Sequence, residues 1–115
     1  MVHQGGCHCG KVSYTVDGDI DQVIQCNCSI CAKRGYLLWF VSRSSLHPNI
    51  DPEDLSTYTF NKHRIRHYFC PTCGVAPFGI GLDGNGREMV AVNVRCLENV
   101  DPATLKTVPF DGRSI

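Results

Sequence analysis

The chain has 115 residues, in which eleven Lys and Arg balance eleven Asp and Glu. A formal net charge of zero gives no electrostatic reason to bind nucleic acid or an anionic membrane, and no apolar run approaches the roughly 20 residues of a membrane span. One domain, residues 1–115, suits this length, and burying only about two-thirds of the unfolded chain's surface makes for a thin core.

In chain order, Met1-Val2-His3-Gln4-Gly5-Gly6 lacks a basic start followed by an apolar run, so no secretory routing is read and reduced thiols in the cytoplasm are expected. Cys7-His8-Cys9-Gly10 then precedes a strand predicted over residues 11–16. Asp17-Gly18-Asp19 has turn chemistry, and a strand over 22–26 runs into Cys26-Asn27-Cys28-Ser29-Ile30-Cys31. Short alternating or aromatic-rich runs predict further strands over 36–41, 56–60 and 65–70, the last ending in Cys70-Pro71-Thr72-Cys73-Gly74. Strands over 76–80 and 88–95 flank Asp83-Gly84-Asn85-Gly86, a hairpin loop. Asp51-Pro52 and Asp101-Pro102 each place an N-cap residue before a proline suited to the first helical position, enough for a single turn. The reading is a small β domain without a long helix.

Eight cysteines carry the chemistry. A disulfide framework is the plain alternative for an even count in a short chain, but thiols one residue apart are poor partners for each other. Closely spaced thiolates suit zinc instead. The motifs at Cys7, Cys9, Cys70 and Cys73 supply a closed set of four sulfurs, with a glycine after each pair to let the backbone turn. That site is structural, because joining segments so distant in sequence is entropically costly and the metal offsets it.

Cys26, Cys28 and Cys31 supply three sulfurs and leave one coordination position open. Three thiolates make zinc a weak Lewis acid for generating hydroxide but suit it to holding a fourth, exogenous thiolate. A second structural site is the competing explanation, completed by Cys96 or by His3, His8, His47, His63 or His67.

Gly6-Cys7-His8-Cys9-Gly10, Cys26-Asn27-Cys28-Ser29-Ile30-Cys31, Phe69-Cys70-Pro71-Thr72-Cys73-Gly74, Val92-Asn93-Val94-Arg95-Cys96-Leu97 and Asp101-Pro102-Ala103-Thr104-Leu105 together resemble the glutathione-dependent formaldehyde-activating enzyme family, shared with centromere protein V. The resemblance implies an all-β fold of short antiparallel strands, of the β-tent (Mss4-like) kind, with a structural four-cysteine zinc and a catalytic zinc on Cys26, Cys28 and Cys31. It also implies a carbon-sulfur lyase that adds the glutathione thiol reversibly to formaldehyde, giving S-hydroxymethylglutathione. Many members carry histidine at the position of Asn27, and basic residues where this chain has Ala32-Lys33-Arg34. A glutathione carrier or sensor using the same pocket is the non-catalytic alternative.

Arg34, Lys33, Arg43, Arg64, Arg66 and Arg95 are candidates for the glutathione carboxylates, and Arg34 is favoured because it closely follows the third thiolate. Alternation places His63, Ile65 and His67 on one side of a strand and Arg64 and Arg66 on the other. Trp39, Phe40, Tyr68, Phe69 and Phe78 are expected in the core. Cys96 is expected to be buried packing. Its setting after Arg95 is also similar to the late cysteine of zinc-containing methionine sulfoxide reductases, which keeps a redox role as an alternative. No serine, histidine and carboxylate combination for hydrolysis stands out.

Overall fold

A computed structural model describes residues 1–60 and 64–114. Short runs of alternating burial build two sheets whose strands each turn one face inward. Strands β1 (Val2–Gly6), β2 (Ser13–Asp17), β3 (Gln22–Cys26), β4 (Leu38–Ser42) and β5 (Leu46–Pro48) come first, with the helix α1 (Ser29–Arg34) between β3 and β4. Then follow β6 (Ser56–Tyr58), β7 (Arg66–Phe69), β8 (Phe78–Leu82), β9 (Glu88–Asn93) and β10 (Lys106–Phe110). One sheet has the order β1-β2-β5, and the other has seven strands in the order β10-β3-β4-β9-β8-β7-β6.

The pairs are antiparallel apart from β10, which lies parallel to β3. The all-β expectation is met, and that parallel edge is an addition to it. β10 contains Pro109, which cannot donate to a ladder and therefore suits an edge. Strand β3 has its predicted bounds, and the other six predicted strands recur shifted or shortened at their ends. The Asp83 carboxylate accepts from the backbone N–H groups of Asn85 and Arg87, closing the predicted β8–β9 hairpin. Asp51 and Asp101 cap single turns at Pro52–Asp54 and Pro102–Thr104, accepting from Glu53 and Ala103.

Between the sheets lie Val12, Tyr14, Val16 and Leu46 with Val23, Trp39, Tyr68, Phe78, Ile80, Val90 and Val92. Because side chains alternate, the residues next to these in the seven-stranded sheet face the other way, toward α1. Ile30, Cys31, Tyr36 and Leu38 form a second cluster there, with Ile24, Cys26, Cys28, Phe60 and Ala91 packed on it. Phe40 corrects the expectation of a wholly buried aromatic set: it is 51% exposed, since it sits one residue out of phase with core-facing Trp39 and Val41. Among the described residues no helix is long and apolar enough to cross a membrane.

Candidate metal centres and the apolar cavity

Two turns build the first cluster. The Cys7 N–H donates to the Val12 carbonyl at 3.1 Å, and the Val12 N–H donates back to Cys7 Sγ at 3.3 Å. At the end of β7, the Gly74 N–H donates to the Cys70 carbonyl at 2.9 Å and the Thr72 N–H to Cys70 Sγ at 3.4 Å. Gly10 and Gly74 follow their cysteine pairs with φ of +87° and +78°, the left-handed conformation that lets each loop fold back over its sulfurs.

These turns bring Sγ of Cys7, Cys9, Cys70 and Cys73 within 4.8 Å of one another, with Cys7–Cys9 and Cys9–Cys70 both at 3.6 Å. A tetrahedron of zinc–sulfur bonds of about 2.3 Å has edges of roughly 3.8 Å, so the set fits that ion. Backbone N–H groups of Val75 and then Cys9 pull the Cys73 thiol down to about 6, which favours the thiolate that a metal needs.

The second cluster is Cys26, Cys28 and Cys31, again with sulfurs within 4.8 Å of one another. Cys26 ends β3, Cys28 occupies the N-cap position of α1, and Cys31 lies in the helix's first turn. Burial raises the Cys28 thiol, but the Cys31 N–H, the thiols of Cys31 and Cys26 and the Ile30 N–H together outweigh it and leave the thiol below its ordinary range. Among the described residues no fourth ligand joins this set. His3 donates to the Gly18 carbonyl and His47 pairs with Asp17, whereas His63 lies outside the described residues.

The three sulfurs line a cavity of about 310 Å³ whose walls include Ile24, Leu38, Phe40, Phe60, Ile65, Ala91 and Phe110. Tyr36, His67 and Asn93 also face it. Burial, then the nearby Arg34 charge, lowers the His67 pKa, so its imidazole is neutral at neutral pH. Ile65 and His67 share this side as the alternation predicted. Arg66 points away to Glu53 at 2.7 Å and Glu88 at 3.0 Å.

Arg34 lies just outside, donating to the Tyr36 hydroxyl at 2.7 Å with its guanidinium 5.6 Å from the Phe69 ring centroid. Arg43 and Arg95 instead bond the backbone carbonyls of Leu46 and Gly35, and Lys33 is exposed on α1. Cys96 belongs to neither sulfur cluster. Cys96 is half-buried, and burial, with the charges of Cys7 and Cys73, pushes its thiol up to about 11, which disfavours the thiolate.

A feature invisible in the spacing is the turn after β10. A Cβ on Gly112 would stand 2.6 Å from Cys26 Sγ and 3.2 Å from Cys28 Cβ, so the strap of residues 111–114 passes the three-sulfur cluster at Gly112. Asn27 clasps this strap: its Nδ2 donates to Asp111 at 3.0 Å and its Oδ1 accepts from the Arg113 N–H at 2.9 Å. Asn27 thus has a specific structural task.

Gly112→Ala should displace the strap and lower zinc affinity at Cys26, Cys28 and Cys31 by about tenfold or more, the scale of changes behind the ligands of a metal site. Competition against a chromophoric chelator measures this. Unchanged affinity would show that the strap does not support the cluster.

The family model described as glutathione-dependent formaldehyde-activating enzyme matches residues 2–109. A crystal structure of a Rhodobacter sphaeroides protein is similar, with a TM-score of 0.78 and 33% identity over 92% of this chain and 97% of that one.

Proposed function

Because the chain belongs to the glutathione-dependent formaldehyde-activating enzyme family, we propose that it adds the glutathione thiol reversibly to formaldehyde or a related small aldehyde, as a carbon-sulfur lyase. The observation that carries this reading is the trio of Cys26, Cys28 and Cys31 in the wall of a cavity, with no fourth ligand among the described residues. Zinc on these three would offer one open position that keeps an incoming thiol deprotonated at neutral pH. The set at Cys7, Cys9, Cys70 and Cys73 is the structural site. Glutathione as co-substrate is in keeping with a reducing compartment such as the cytoplasm.

In the reaction, the sulfur lone pair forms the S–C bond, the carbonyl π pair moves to oxygen, and that oxygen takes a proton. No oxidant or reductant is consumed. His67 faces the cavity in its neutral form, suited to accept the thiol proton and return it to the oxygen. Arg34, anchored by Tyr36 beside the cavity, takes a glutathione carboxylate. The apolar wall limits water around the carbonyl and so favours the adduct over the hydrate.

S-methylglutathione keeps both carboxylates but has no ionisable thiol, so its binding should be at least a hundredfold weaker by calorimetry. Equal binding of both compounds would assign recognition to side chains alone. Exchange spectroscopy by NMR should show the formaldehyde adduct forming faster than in protein-free buffer, and His67→Gln should slow this step while glutathione still binds. Normal glutathione binding without acceleration would replace the enzyme with the carrier or sensor.

A further inference from the structure

The cavity beside the three sulfurs is far larger than formaldehyde requires, and its shape follows from one row across the seven-stranded sheet. Phe40 pairs with Ala91, Ala91 with Gly79, and Gly79 with His67, which places these four residues side by side on β4, β9, β8 and β7. Large side chains stand at both ends of the row, and the two smallest types occupy its middle. The hollow is therefore carved by Ala91 and Gly79. In the adjoining row Ile24, Leu38 and Asn93 pair across β3, β4 and β9 and continue the floor toward the cysteines.

The lining points to the occupant. Glutathione carries two carboxylates and an ammonium group, and burying them among Ile24, Leu38, Phe40, Phe60 and Ala91 would leave charges without partners. Formaldehyde has no carbon substituent to use such a surface. Phe40, Ile65 and Phe110 also stay 51%, 49% and 46% exposed while lining the cavity, so apolar surface continues to its mouth. A cavity of about 150 Å³ accommodates benzene, and this one, at about 310 Å³, holds a group of that size with room left for the reacting carbonyl.

We infer that the preferred aldehyde carries an apolar substituent of about four to six carbons, seated over Ala91 and Gly79 while its carbonyl carbon faces the three cysteines. This rests on the thiol-addition reading and names its substrate class. The thiol sulfur bonds to the aldehyde carbon, the carbonyl π pair goes to oxygen, and oxygen takes the proton released by the thiol. The product is the glutathione hemithioacetal. Each methylene moved from water to the hollow contributes roughly 0.8 kcal/mol, or about fourfold, when it stays buried as the S–C bond forms.

The test compares pentanal with formaldehyde, each as acceleration by the zinc-loaded protein over the protein-free reaction with glutathione. Acceleration should be at least tenfold greater for pentanal. Ala91→Phe, which fills the hollow, should reduce that ratio at least tenfold. Phe40→Asp alters an exposed residue and should reduce it too, which covers the case of an Ala91 variant that does not fold. Independently of turnover, 1-pentanol should shift the NMR methyl signals of Ile24, Leu38 and Ala91. Acceleration of formaldehyde alone, with no shift by 1-pentanol, overturns the inference and leaves thiol addition standing. Acceleration of neither aldehyde, with 1-pentanol still bound, overturns the thiol-addition reading and the substrate assignment with it.

Discussion

Cys70→Ser is expected to leave a chain that does not unfold cooperatively, because it removes a ligand from the cluster that holds the end of β1 to the end of β7. Cys70 is 1% exposed, and its sulfur lies 3.6 Å from that of Cys9, a residue 61 positions away. Closing so long a loop costs entropy that a thin core does not readily supply. Structural zinc contributes about 10–16 kcal/mol of apparent binding energy in small peptides, comparable to the roughly 5–15 kcal/mol of net stability in a whole domain. Loss of the site therefore removes most or all of the folding free energy. Near-ultraviolet circular dichroism and a thermal melt provide the check, and chelation of the unaltered protein should reproduce the result. A cooperative melt within a few degrees of the parent would show that this cluster is not structural.

Cys28→Ser should separate chemistry from folding. Cys28 is only partly buried at the start of a six-residue helix on the outer face of the large sheet, away from the core between the sheets. Its loss should reduce bound zinc from two ions to one and return adduct formation to the protein-free rate, while the thermal midpoint falls by only several degrees, equivalent to about 1 kcal/mol. Elemental analysis, exchange spectroscopy and a melt on the same preparation measure the three effects. Collapse of folding to the extent expected for Cys70→Ser would make both clusters structural and remove the basis for an open site.

The pairing of Cys7 and Cys9 with Cys70 and Cys73 was readable because metal-ligand spacing is local chemistry, with the turning glycine next to each pair. Cys26, Cys28 and Cys31 were readable as a trio for the same reason. Turn residues exposed the β8–β9 hairpin and the capped turns at Asp51 and Asp101, since a side chain two positions back satisfies the backbone there whatever the rest of the chain does. Arg34 could be proposed for a carboxylate from its sequence distance to Cys31, but its hydrogen bond to Tyr36 and its place over Phe69 depend on how α1 packs.

Other features had no local signal. β1 is rich in glycine, β5 has three residues, and β10 contains a proline, so each becomes a strand only because an existing strand offers it an edge. The helix α1 is too short for a periodic pattern, and Phe40 looked like its core neighbours until the phase of β4 was known. Ala91 and Gly79 are unremarkable in sequence, and their hollow exists because sheet register sets them beside each other between Phe40 and His67. Gly112 meets Cys26 because β10 returns parallel to β3. Which cysteines cluster follows from residue type and spacing, whereas a cavity is the space left between distant segments, and non-local strand pairing alone places those segments around it.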